Sequence, residues 1–137
     1  MAIKKKGENY SLLQKINKRL HLEYYTRVNL LTRRAEYDKI GNYCMFIGYP
    51  RSGHTLIGAS LDAHPHVILG HEMDALKFVM KGESRDKIYS RLLAMSKTFI
   101  SIGGQWMDYN YKIPGQYQGQ ATELKVIGDK KGGGSTN

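Results

Sequence analysis

The sequence predicts an α/β fold in which a parallel sheet is flanked by helices. The short apolar run at residues 43–48 has the character of a strand buried on both faces, and residues 67–69 and 124–128 read as two further strands. Between them lie longer stretches with apolar residues three and four positions apart, the helical spacing expected of parallel crossovers.

Taken in chain order, Leu13, Ile16, Leu20, Tyr24, Val28 and Leu31 predict an amphipathic helix from Tyr10 to about Tyr37, with basic residues between the apolar ones. Gly41 and Asn42 break that pattern, and the strand at 43–48 follows. After a loop from Pro50 to Gly53, a helix is expected from Thr55 to about Ala63, stopped before Pro65. Val67, Ile68 and Leu69 form the second strand, ended by Gly70. A helix is expected over 72–80, with Met73, Leu76 and either Val79 or Met80 on one face. The next is expected from Ser84 to about Ile102. Ser84 suits the N-cap, Asp86 the first turn, and Ile88, Leu92, Met95 and Phe99 make the stripe. Residues 105–120, rich in Tyr, Gln and Gly, read as a structured loop. The third strand covers 124–128, and 129–134 is its following loop. Gly132-Gly133-Gly134-Ser135 reads equally as a linker or as a phosphate-facing loop. Another helix would normally follow that strand, so a truncated domain is expected at 41–137, preceded by a basic helical segment at 1–40.

A chain of 137 residues has room for one domain with a modest core. Its 41% apolar and 24% charged residues fit a globular protein. The net charge of +9 favours anionic partners. Much of it is crowded into the first forty positions, where a solvated helix face is the expected use and nucleic-acid binding is disfavoured. The single Cys44 cannot form an internal disulfide and lies in an apolar run, which suits the core. Lys4, Lys5 and Lys6 are followed by no apolar stretch, and no run is long enough to span a bilayer; a cytoplasmic protein is expected.

The chemistry concentrates at Gly48-Tyr49-Pro50-Arg51-Ser52-Gly53-His54-Thr55, between a buried strand and a helix. Glycines let successive N–H groups converge on one anion, and the helix start adds its positive end. Thr55 offers a hydroxyl and Arg51 a permanent charge. A nucleotide triphosphatase of P-loop type would carry Lys where His54 stands, so the phosphate cradle is kept without the triphosphate machinery. His71-Glu72 lacks the second histidine of a zinc helix, and no metal is expected.

The segment from Phe46 to Leu56 resembles the 5′-phosphosulfate-binding loop of sulfotransferases. Leu61-Asp62-Ala63-His64-Pro65-His66-Val67 is similar to a segment of the tyrosylprotein, heparan-type and bacterial branches. Glu72 falls where those branches place a catalytic Glu. Val126-Ile127-Gly128-Asp129-Lys130 is similar to their Gly-Glu/Asp-Lys loop. The resemblance covers residues 43–73, and more weakly 124–130. It implies a P-loop-type domain that takes 3′-phosphoadenosine-5′-phosphosulfate (PAPS) and transfers the sulfuryl group to a hydroxyl or amine. The acceptor is left open among carbohydrate, protein tyrosine and small molecule. Pro50, Arg51, Ser52, Gly53, His54 and Thr55 would hold the donor, Glu72 would act as base, and Arg51 and Lys130 would stabilise the leaving oxygen. The sequence departs from the family in two ways: His54 replaces a threonine, and the Arg and Ser that hold the 3′-phosphate have no counterpart before Asn137. The 137 residues alone are therefore expected to transfer little or no sulfuryl group. A P-loop kinase or triphosphatase and a non-catalytic basic anion-binding module are the alternatives.

Overall fold

The computed structural model describes residues 12–106 and 108–131. Helix α1 (Leu12–Thr32) and a short 3-10 helix (Arg34–Lys39) lead into strand β1 (Asn42–Met45). Then come α2 (His54–Asp62), β2 (Val67–His71), α3 (Ala75–Met80) and α4 (Arg85–Ser101). A small hairpin, β3 (Gln105–Trp106) and β4 (Tyr109–Asn110), precedes the last strand, β5 (Val126–Lys130). The fold is α/β: three parallel strands in the order β1-β5-β2, flanked by helices.

The last strand occupies the middle of the sheet. Ile127 sits opposite both Tyr43 and Ile68, and Asp129 opposite Met45 and Gly70. Its neighbour Gly128 is required there, because a Cβ would strike the Cys44 carbonyl oxygen and a methyl group of Leu69. Ile68, Leu92, Leu124 and Ile127 form the centre of the core, and α4 supplies its helical side. Tyr37 closes one end, fully buried, with its hydroxyl 2.8 Å from Ser90 Oγ.

Several expectations need correction. Leu13, Ile16, Leu20, Tyr24 and Leu31 of α1 are exposed rather than packed. The surface that α4 offers to α1 is polar, so α1 turns its own polar residues inward. Asn29 donates to the Ser90 carbonyl at 3.3 Å, His21 lies 3.1 Å from the Thr98 hydroxyl, and Glu23 accepts from Arg91 at 3.0 Å. β1 ends at Met45, short of the expected Gly48. The helix expected from Glu72 starts only at Ala75, because Glu72 and Asp74 both take left-handed backbone (φ 57° and 64°). The 105–120 loop contains the β3–β4 hairpin. β5 runs on through Asp129 and Lys130, which therefore lie on a strand and not in a loop. The expected helix start at Tyr10 and the loop residues 132–134 lie outside the described residues. The Ser84 cap is present, accepting from the Lys87 N–H, and starts α4 at Arg85. Among the described residues no helix is long and apolar enough to cross a membrane.

Asp62, at the end of α2, ties three elements together. Its carboxylate accepts from the Leu69 N–H of β2, the Ser96 hydroxyl of α4 and the Gly119 N–H of the loop before β5. Burial pushes its pKa from an ordinary 3.8 to about 6, against the lowering effect of those hydrogen bonds. The folded state thus binds this proton more tightly than the unfolded chain. The contribution is full below the ordinary value and is lost as pH rises to about 6. Relative to wild type, Asp62→Asn should gain stability across that window as pH rises. Urea denaturation of both proteins at pH 4 and pH 6.5 checks this; parallel pH profiles would mean that Asp62 titrates as an exposed acid.

Candidate functional site

The site forms where the carboxyl ends of the three parallel strands meet the start of α2. Between β1 and α2 the chain reverses handedness twice. Arg51 (φ 65°) and Gly53 (φ 80°) are left-handed, and Ser52 between them is not. Alternation of this kind turns successive N–H groups toward a common point and makes a concavity suited to an anion. Gly53 caps α2 without a side-chain hydrogen bond, so the first-turn N–H groups are not covered by a capping side chain. A non-glycine residue in the left-handed region costs about 1–2 kcal/mol, and such strain concentrates at functional positions. Arg51 and Glu72, which line the same cleft, both carry it.

Lys130, the last residue of β5, is the centre of the arrangement. Its side chain is 2% exposed, yet its ammonium has two oxygen partners: Thr55 Oγ1 at 2.9 Å and Glu72 Oε1 at 2.7 Å. The stem passes over Gly58 of α2, where a Cβ would approach its Cγ to 3.4 Å. Burial pulls the Lys130 pKa below its ordinary value, and Glu72 pulls it back up. The backbone is locked as well, because the Glu72 N–H donates to the Lys130 carbonyl at 2.7 Å, one step past the His71–Lys130 pair.

His54 completes the group. Its Nε2 lies 3.9 Å from Glu72 Oε1, and its Nδ1 lies 3.2 Å from the Ser52 hydroxyl. Burial and the Lys130 charge lower its pKa, against Glu72, which raises it. Beside it, His71 stacks on Phe99 with ring centres 4.0 Å apart and meets the edge of Trp106 at 4.8 Å. Burial drives the His71 pKa down to about 3. That ring is neutral at physiological pH.

The cleft over these groups encloses about 650 Å³. On one side it is lined by Pro50, Arg51, Gly53, His54 and Thr55, with Glu72 at its base. The other side is formed by Trp106, Tyr109, Asn110 and Tyr111. Thr55, His54, Glu72 and Lys130, far apart in the chain, therefore meet in one cluster. Pro50 and Arg51 line the cleft yet stay exposed, and Ser52, also exposed, is not part of its lining.

Asp129 has a part that sequence reasoning overlooked. It is 1% exposed and accepts from the N–H groups of Met73 at 3.2 Å and Ala75 at 2.7 Å. Those bonds fix the left-handed turn from which Glu72 projects. Its adjacency to Lys130 was visible in the sequence, but only a strand assignment reveals that it points toward a neighbouring loop. The sequence leaves Trp106 and the tyrosines from Tyr109 to Tyr117 open between packing and lining an acceptor site. The structure puts Trp106, Tyr109 and Tyr111 on the cleft, carried by a hairpin of two residues per strand that is too short to show a period.

Comparison of the chain with protein-family models, with curated proteins and with solved structures found no match.

The opposing effects on His54 can be tested directly. Glu72→Gln should lower the His54 pKa further, and Lys130→Met should raise it, both read by NMR titration of the imidazole. Shifts of the same sign in the two variants would show that His54 does not sit between these charges.

Proposed function

We propose that the chain is a sulfotransferase-type domain in which residues 50–55 hold the 5′-phosphosulfate end of PAPS and Glu72 serves as base. The single observation behind this reading is the bridge from Thr55 through Lys130 to Glu72. It joins the two separate segments whose sequences resemble that family. The parallel strand β1, glycine-bounded turn and following helix also support a P-loop-type reading of the sheet, although β1 is an edge strand, exposed or half-buried rather than buried on both faces as expected. The donor supplies an activated sulfuryl group. The acceptor oxygen forms its bond to sulfur as the bond from sulfur to the phosphate oxygen breaks, and the electron pair stays on that phosphate.

Each residue has a task that follows from its place. The loop N–H groups and Arg51 face the phosphate with fixed positive character. Glu72, at the base of the cleft, takes the proton that the acceptor hydroxyl must lose. The Lys130 ammonium stands between loop and carboxylate, and is positioned to stabilise charge growing on the leaving oxygen. His54, held neutral by burial and by Lys130, adds a hydrogen-bonding ring without competing for the phosphate charge. The sulfuryl group carries less charge than a phosphoryl group, in keeping with one ammonium at this place rather than a P-loop lysine plus a metal.

Thermal unfolding tests this reading. Adenosine 5′-phosphosulfate, which needs only the loop contacts, should stabilise the protein without magnesium, and adenosine triphosphate should do so less. Arg51→Ala should reduce the stabilisation, and Glu72→Gln should leave it nearly intact. Larger, magnesium-dependent stabilisation by the triphosphate would replace the assignment with a kinase-like one.

A further inference from the structure

The wall of the cleft opposite the phosphate loop is unlike the rest of the molecule. Trp106 and Tyr109 are direct cross-strand partners in the β3–β4 hairpin, so their side chains share one face, and both line the cleft. Asn110 and Tyr111 continue the wall. Within these four residues there are three aromatic rings, one amide and no charge. Packing does not account for all of them: Tyr109 is 67% exposed, and the Tyr109 and Tyr111 rings are tilted 49° at 6.3 Å.

The wall is also built in place. The Tyr111 N–H donates to the Gly104 carbonyl at 2.9 Å. The buried Gln118 amide donates to the Tyr111 carbonyl at 2.9 Å and to the Ala59 carbonyl of α2 at 3.2 Å. Gly119, next in sequence, donates to Asp62 at 3.1 Å. The hairpin is thus tied to the helix that opens the phosphate loop. Trp106 reaches the bridge as well, with Lys130 Nζ 5.8 Å from its ring centre.

We propose that Trp106, Tyr109 and Tyr111 form a carbohydrate subsite that holds a neutral sugar ring with one hydroxyl toward Glu72. A pyranose has apolar C–H faces and a rim of hydroxyls. It suits rings that offer an apolar face beside phenol and amide groups. The uncharged wall has no group to pair with an anionic or cationic acceptor, and the volume of about 650 Å³ accommodates more than a single small ring. The identification of this ligand as the acceptor rests on the sulfotransferase reading; the binding itself does not.

Trp106 is the only tryptophan in the chain, so its fluorescence reports this wall directly. Chitotetraose, a neutral oligosaccharide, is titrated into the 137-residue protein without nucleotide, and N-acetyltyrosinamide is titrated in parallel. The expected result is a saturable change in Trp106 emission with the oligosaccharide, weakened at least about fivefold in Tyr109→Ala. Tyr109 is exposed, so the variant should melt with the wild type; Tyr109→Phe should retain most of the binding. A saturable response to the tyrosine derivative alone, or to neither probe, overturns the subsite. Saturable oligosaccharide binding in a protein that adenosine 5′-phosphosulfate fails to stabilise would keep the subsite and remove the sulfotransferase reading.

Discussion

A lysine ammonium buried between two secondary-structure layers needs partners, and much of this site follows from how Lys130 finds them. Taking a charge out of water costs several kcal/mol, which is recovered only with good geometry and hydrogen bonds. Lys130 reaches Thr55 on α2 and Glu72 after β2, so one charge joins the start of a helix to the end of a strand. β5 must lie between its neighbours for that reach to exist, and Gly128 permits it by giving up a side chain where Cys44 and Leu69 crowd in. The lysine stem lies against Gly58 of α2.

Around that bridge, buried carboxylates do for the loops what hydrogen-bond ladders do for the strands. Asp129 gathers the N–H groups of the turn that follows Glu72, and Asp62 joins α2, β2, α4 and the loop before β5. Burial raises the pKa of both, against the N–H groups that favour their charged forms. A satisfied network of this kind specifies one arrangement of loops that would otherwise have many.

The sheet was legible because its strands are short apolar runs separated by helical periods, and α4 because Ser84 and its stripe agree. The turn at 50–53 was legible through its proline and glycine, set between a strand and a helix. What escaped depended on tertiary context. The apolar residues of α1 have clean helical spacing, yet Leu13, Leu20 and Leu31 face outward because Ser90, Arg91 and Thr98 make the α4 surface polar. Periodicity reveals a stripe but not which side of the helix is covered. Glu72 looked like the first residue of a helix, and only the pull of Asp129 on the following N–H groups shows why the backbone turns left-handed there. Lys130 looked like a loop lysine because a charge at the end of a strand normally marks the way out to solvent.

The claim on which the rest depends is that Lys130 and Glu72 act as one unit. A double-mutant cycle on unfolding free energy, with Lys130→Met, Glu72→Gln and the double variant, measures that coupling. Glu72→Gln should cost about 3–5 kcal/mol, because it leaves the buried Lys130 ammonium poorly compensated, and Lys130→Met less, because Glu72 keeps access to water. The double variant should cost far less than the sum, with a coupling of at least about 1.5 kcal/mol. Additive losses, with the double variant equal to the sum of the singles, would contradict the account and mean that the two groups are independently solvated.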